Sequence, residues 1–317
     1  MGKVAFIFPG QASQYPGMGK ELAEKYPSAR AVFEEADAAL GISISKICFE
    51  GTEEELKLTA NTQPAILTVS VAAYRVLAER GISADYVAGH SLGEYSALVA
   101  AGSLNFADAV KLVRKRGTYM QEAVPAGQGS MAAIMGLAPT VVLEVCKKAA
   151  QGEVCSPANL NSPEQTVISG SAAAVKRAVE IASQSGAKRA VVLAVSAPFH
   201  CALMMPAQEK LEKDLATSKL ADLQIPLVTN VDADEITKGE EARSSLTRQV
   251  TMPVRWEESM RVLLDDTVNT FVEVGPGKVL TGLMRQIERS VASLNVEDEK
   301  SLAATLEKIT GAKSDAA

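Results

Sequence analysis

Short apolar runs alternating with longer helix-period segments predict an α/β protein with a mainly parallel sheet. A βαββαβ run within residues 126–197 predicts a ferredoxin-like small domain inserted into it. The chain has 317 residues, enough for one large or two modest domains with a substantial core. Strands of the main sheet are expected at 4–8, 86–88, 225–231 and 270–274. Helices are expected over about 19–26, 28–40, 52–58, 63–80, 92–101, 105–124, 203–217, 255–266 and 277–291, where apolar residues recur at helical spacing. Within the insert, 130–137, 154–159, 166–169 and 190–195 read as strands, and 140–150 and 172–185 as helices. Gly127 and Gly129 in front and Pro198 behind are candidate hinges. The expected division is therefore 1–125 with 198–317 as the large domain and 126–197 as the small one. The small, polar tail from Thr310 is expected to fray.

Composition narrows the function classes. With 47% hydrophobic and 22% charged residues the chain is far from a disordered one. A net charge of −6 argues against a nucleic-acid partner, because neutralising phosphates needs a broad basic face. Cys48, Cys146, Cys155 and Cys201 form no C-x-x-C pair, so buried reduced thiols are expected. The apolar run 4–8 is too short for a signal peptide and no stretch reaches the length of a membrane span, which points to a cytoplasmic protein without a membrane partner. Position 6 is Phe where a myristoylation signal after Gly2 wants Ser or Thr. Histidine is scarce: only His90 and His200 are present. A multi-histidine metal site is thereby excluded, no cofactor is called for, and any proton shuttle working near neutral pH falls to one of these two.

Gly89-His90-Ser91-Leu92-Gly93 fits G-x-S-x-G between a predicted strand and a predicted helix. Such a turn exposes a serine Oγ, with glycines where side chains would clash. The bland alternative is a glycine turn with a solvent-facing serine. A serine hydroxyl needs a base to take its proton. His90 is next to Ser91, and adjacent side chains diverge on a sharp turn, so His200, in the loop after the last small-domain strand, is the candidate base. Cys201 adjoins His200 and cannot face it, so it reads as a buried thiol. In the helix from Asn105, residues 106, 109, 110, 113, 117, 120 and 124 share an apolar stripe. Of Arg114-Lys115-Arg116, Lys115 points away, Arg114 lies at the far margin and Arg116 falls on the stripe's flank. A guanidinium there is costly unless it meets an anion, either a substrate carboxylate or a structural Asp or Glu.

With these residues in place, the chain resembles the bacterial malonyl-CoA:acyl carrier protein transacylases over nearly its whole length. The resemblance rests on Phe8-Pro-Gly-Gln-Ala-Ser-Gln14 with Gly17-Met-Gly19, Asn61-Thr-Gln-Pro64, Gly89-His-Ser-Leu-Gly-Glu94 and Arg114-Lys-Arg116. Phe199-His200, Pro253-Val-Arg-Trp256 and Glu273-Val-Gly-Pro-Gly277 follow in the family's order. It implies an α/β-hydrolase-like large domain carrying the ferredoxin-like insert, with the site in the cleft between them. It also implies Ser91 as the acylated nucleophile, His200 as base and then acid, Arg116 as the clamp for the malonyl carboxylate, and the Gln11 and Leu92 N–H groups as the oxyanion hole. Gln63, His90, Met131 and Phe199 would line the substrate site, and the main-chain carbonyl of Gln249 would orient His200. In related acyltransferase domains a Phe at the position of Phe199 accompanies malonyl and a Ser accompanies methylmalonyl, because the ring fills the space of an α-methyl group.

One departure stands out: Ala12 replaces the family's usual glycine, a change expected to be harmless if its φ is negative. The partners implied are malonyl-CoA, CoA and an acyl carrier protein. Since that carrier is acidic, a local basic patch is needed, for which Lys188, Arg189 and Arg285 are candidates. A monomer is expected, serving fatty-acid synthesis, since no carrier or synthase module is fused to the chain. A serine hydrolase or thioesterase could use the same Ser91 and His200. Arg116 separates the two readings, because a hydrolase has no general need for an inward cation.

Overall fold

The computed structural model describes residues 2–195 and 197–314, the side chains of 312–314 excepted. Its strands are Lys3–Phe8 (β1), Tyr86–Gly89 (β2), Gly129–Met135 (β3), Cys155–Ser162 (β4), Gln165–Ser171 (β5), Arg189–Val192 (β6), Leu227–Val228 (β7), Glu235–Ile236 (β8), Val268–Val274 (β9) and Ala292–Val296 (β10). The larger sheet has the order β10-β9-β1-β2-β7-β8. All its pairs are parallel except β7 with β8. Side chains alternate across it as a two-residue period requires. Phe6 and Phe8 enter the core shared with the helices Pro27–Leu40, Thr59–Glu79 and Phe106–Glu122. Ala5, Ile7 and Phe271 enter a second core with Trp256–Asp265 and Val279–Ile287.

The smaller sheet is antiparallel throughout, in the order β4-β5-β3-β6, the ferredoxin-like arrangement. Ala132, Ile134 and Ile168 pack under the helices Pro139–Ala150 and Ala172–Gln184. Met131, Ala133 and Val167 point the other way and join the larger core. Strand β4 is also tied to the segment before Trp256, since Leu160 N donates to Val254 O and Val254 N to Ala158 O, both at 2.8 Å. The two sheets are thus joined by apolar contact as well as by the connecting chain.

Several expectations need correction. The helix expected from about 63 begins at Thr59 and holds Pro64 inside it. Pro64 lacks the N–H that would satisfy the Ala60 carbonyl, and Arg114 Nη1 donates to that oxygen at 3.1 Å instead. The strand expected over 225–231 is cut to Leu227–Val228, because the chain turns back at Thr229, whose N–H binds Asp234 O at 3.0 Å. Strand β10 and the helices Ile44–Glu50, Gly239–Gln249 and Glu299–Ser314 were not anticipated. The last overturns the frayed tail as far as Ser314, and 315–317 lie outside the described residues. The thiols of Cys48, Cys146 and Cys201 are buried, but Cys155 is only half-buried; all four are free. Among the described residues no helix is long and apolar enough to cross a membrane.

Candidate active site

The site forms where β1 and β2 end side by side. Gly89 closes β2, Ser91 takes a left-handed φ of 51°, and Gly93 starts the helix Gly93–Ala100. A Cβ on Gly93 would sit 2.0 Å from Phe8 O, and one on Gly10 would sit 2.4 Å from His90 O. Both positions therefore require glycine for backbone to meet backbone. The left-handed serine is braced by Asn230, just after β7. Its Oδ1 accepts from Ser91 N at 2.7 Å and its Nδ2 donates to Gly89 O at 2.6 Å. These bonds offset backbone strain of the kind that concentrates at functional sites.

His200 follows the last small-sheet strand and also has a left-handed φ, 58°. Its Nδ1 lies 2.8 Å from the Gln249 carbonyl and its Nε2 lies 2.8 Å from Ser91 Oγ. A carbonyl only accepts, so the proton sits on Nδ1 and Nε2 presents a lone pair to the serine hydroxyl. Burial first, and the Arg116 charge second, press the His200 pKa down to about 3, which leaves the imidazole neutral with its Nε2 lone pair unprotonated. His90 turns away from Ser91: its Nε2 bonds Asn161 Oδ1 at 2.9 Å and its ring lies 5.5 Å from that of Trp256. Burial lowers its pKa as well.

Arg116 enters from the helix Phe106–Glu122, which is N-capped by the Asn105 side chain. The helix can approach closely because of Gly117, where a Cβ would lie 2.5 Å from Thr59 O. Lys115 points outward to Asp214 at 2.6 Å. Arg116 is 1% exposed. Its Nη1 donates to Gln63 Oε1 at 2.8 Å, and its Nη2 to Gln249 Oε1 at 2.9 Å and to Ser91 Oγ at 3.1 Å. The Tyr95 ring lies 5.5 Å from the guanidinium carbon, and Nε has no acceptor among the described residues. Among the described residues Arg116 makes no ion pair, so the structural Asp or Glu weighed as its partner is not there. A buried cation cradled by two neutral carboxamides, within hydrogen-bond reach of a serine, has the chemistry to bind an external carboxylate.

In front of these groups opens a cleft of about 350 Å³ lined in part by Gln11, His90, Ser91, Met131, Phe199 and His200. Neither the Gln11 nor the Leu92 N–H has an acceptor among the described residues. Gln63, expected on the cleft wall, instead stands behind Arg116, fully buried. Ala12 does not have the negative φ assumed for it; its φ is 81°, a region costly to any residue with a Cβ. Lys188 is exposed and paired with Glu164 at 2.8 Å, while Arg189 and Arg285 are exposed without an ion pair among the described residues.

Residues 5–312 match the model of the family described as "Acyl transferase domain". The chain belongs to that family. The malonyl CoA-acyl carrier protein transacylase of Bacillus subtilis strain 168 is 50% identical to it over 303 residues, covering 95% of this chain and 96% of the relative. A malonyl CoA-acyl carrier protein transacylase structure from Clostridium perfringens superposes with a TM-score of 0.96 at 41% identity, covering 99% of each chain. A type II PKS acyl-carrier protein in complex with its malonyl-transacylase supplies a third match, with a TM-score of 0.94 and 45% identity over 96% of this chain and 99% of that one. Within this acyltransferase framework, sequence reasoning missed Asn230, Asn161 and the buried Glu94, whose Oε2 accepts from the Gln249 Nε2–H at 2.8 Å. Asn230 was detectable only as an asparagine just past the strand next to the elbow strand, and Glu94 only as a carboxylate inside an apolar helix.

Proposed function

We propose that the cleft transfers a malonyl group from malonyl-CoA to the phosphopantetheine thiol of an acyl carrier protein, as an [acyl-carrier-protein] S-malonyltransferase of fatty-acid synthesis. The observation that carries this is Arg116: a buried guanidinium 3.1 Å from Ser91 Oγ and without an ion-pair partner among the described residues.

Ser91 Oγ attacks the thioester carbonyl while His200 Nε2 takes its proton. The carbonyl oxygen, now an oxyanion, is received by the Gln11 and Leu92 N–H groups. Collapse breaks the C–S bond, the CoA thiolate takes the proton from His200, and malonyl remains as an ester on Ser91. The carrier's thiol then gives its proton to His200 and attacks the ester, and Ser91 Oγ regains a proton as it leaves. Arg116 holds the malonyl carboxylate throughout, and the Gln249 carbonyl keeps the imidazole in its Nδ1–H form. Phe199 and Met131, both buried against the cleft, leave little room for an α-methyl group.

Residues 1–125 with 198–317 would form the catalytic domain and 126–197 the small one. Lys188, Arg189 and Arg285 are the candidates for meeting the acidic carrier. A cytoplasmic monomer with no nucleic-acid or membrane partner completes the reading. Initial rates with malonyl-CoA and a holo carrier test it: parallel double-reciprocal lines with stoichiometric malonyl-carrier formation support ping-pong transfer. Hydrolysis of malonyl-CoA at the same rate with and without carrier would identify a thioesterase instead.

A further inference from the structure

Glu94 lies in the first turn of the helix after Ser91, with no exposed surface, and among the described residues the hydrogen bonds of Ser91 Oγ run to His200 and Arg116 rather than to Glu94. Its Oε2 accepts from the Gln249 Nε2–H at 2.8 Å and from the Asn230 N–H at 3.1 Å, and its Oε1 accepts from Ser245 Oγ–H at 3.2 Å. Gln249 Nε2 also donates to the Ser91 carbonyl at 3.0 Å, while its Oε1 accepts from Arg116. A carboxamide can be seated either way round, but the Glu94 Oε2 facing it also accepts from the Asn230 N–H and so is fixed as an acceptor. Glu94 therefore requires Nε2 to face it, which turns Oε1 toward Arg116. A flipped amide would set donor against donor at Arg116 and acceptor against acceptor at Glu94 and at the Ser91 carbonyl.

We infer that Glu94 is a positioning residue for the carboxylated acyl group: by locking the Gln249 carboxamide it aims Arg116 toward Ser91. Because Glu94 acts through an amide, the guanidinium stays open to substrate, whereas a carboxylate paired directly with Arg116 would occupy the same donors. The inference rests on the malonyl-transfer reading. Burial raises the Glu94 pKa to about 7 against the opposing hydrogen bonds from Gln249, Asn230 and Ser245 and the Arg116 charge. The carboxylate thus sits at a cost that its bonds must offset.

Two variants of the full chain separate reach from charge. Glu94→Gln keeps an acceptor for Gln249 and Asn230 and can donate to Ser245 Oγ, but is neutral. Glu94→Asp keeps the charge and is one methylene short. For each, kcat and KM with malonyl-CoA and acetyl-CoA are measured beside the melting temperature. Loss of one hydrogen bond to a charged group corresponds to roughly tenfold or more. That loss is expected in the malonyl-to-acetyl ratio of Glu94→Asp, chiefly through KM, while Glu94→Gln holds the wild-type ratio. The reverse order, or equal losses on both substrates in Glu94→Asp, would overturn the inference. Should Glu94→Asp fail to fold, Glu94→Gln decides alone: a retained ratio supports the inference and a lost ratio refutes it. A wild-type protein that takes no malonyl would sink the functional reading instead.

Discussion

Replacing Arg116 by Ala tests the substrate clamp. The guanidinium lies 3.1 Å from Ser91 Oγ and is otherwise held by the neutral oxygens of Gln63 and Gln249. A malonyl carboxylate meeting it would make two charge-assisted hydrogen bonds in a buried setting. At about 1.5–3 kcal/mol each, these contribute about 3 kcal/mol or more, roughly two orders of magnitude in kcat/KM. Acetyl-CoA has no carboxylate, so its transfer should change little or improve once the pocket loses an unanswered cation. The assay is transfer of each acyl group to a holo carrier, with a melting curve to show that the variant is folded. Equal losses for malonyl and acetyl in a folded Arg116→Ala protein would refute the clamp and make Arg116 a structural residue.

The His200 imidazole is depressed to about 3 from an unfolded value near 6.5, so the free enzyme keeps its base down to acid pH. With acetyl-CoA, the acid limb of kcat/KM should fall well below pH 6.5, and Arg116→Ala should move it upward by removing a like charge; no movement would contradict the assigned cause. The same shift has a stability cost: below about pH 6.5 the unfolded chain takes up a proton that the native His200 refuses, so stability from this group falls as pH drops toward 3. Asn230→Ala would leave the Ser91 N–H and Gly89 carbonyl unpartnered; denaturant melts should show a loss of about 2–4 kcal/mol and transfer should be slowed for both acyl groups alike. Ala12→Gly relieves a φ of 81° and should stabilise the fold by about 0.5–1 kcal/mol in the same melts, after the entropy of the added glycine is subtracted.

Legibility followed how far chemistry is tied to residue type. The elbow could be read because Gly89, Ser91 and Gly93 bracket a turn that only small residues permit. The candidate base was narrowed by the presence of two histidines and the divergence of adjacent side chains, and Arg116 by its angle on an apolar stripe. The Gln249 contact came only through resemblance, because a main-chain carbonyl has no residue signature. Asn230 was hidden behind a strand that the pattern made seven residues long and the structure cuts to two. The helix Gly239–Gln249 went unread because it is rich in Glu, Arg and Ser with few apolar positions, and β10 because Ala292–Val296 is a half-exposed edge strand. Ala12 shows the limit most directly, since its dihedral depends on tertiary context that its own identity opposes.

The central claim is that malonyl is carried on Ser91. Intact-mass spectrometry after brief incubation with malonyl-CoA measures it most directly. A gain of one malonyl group, mapped to the peptide bearing Ser91, absent in Ser91→Ala and discharged by a holo carrier, is the predicted result. Release of CoA with no covalent adduct, or an adduct that persists in Ser91→Ala, would contradict the account.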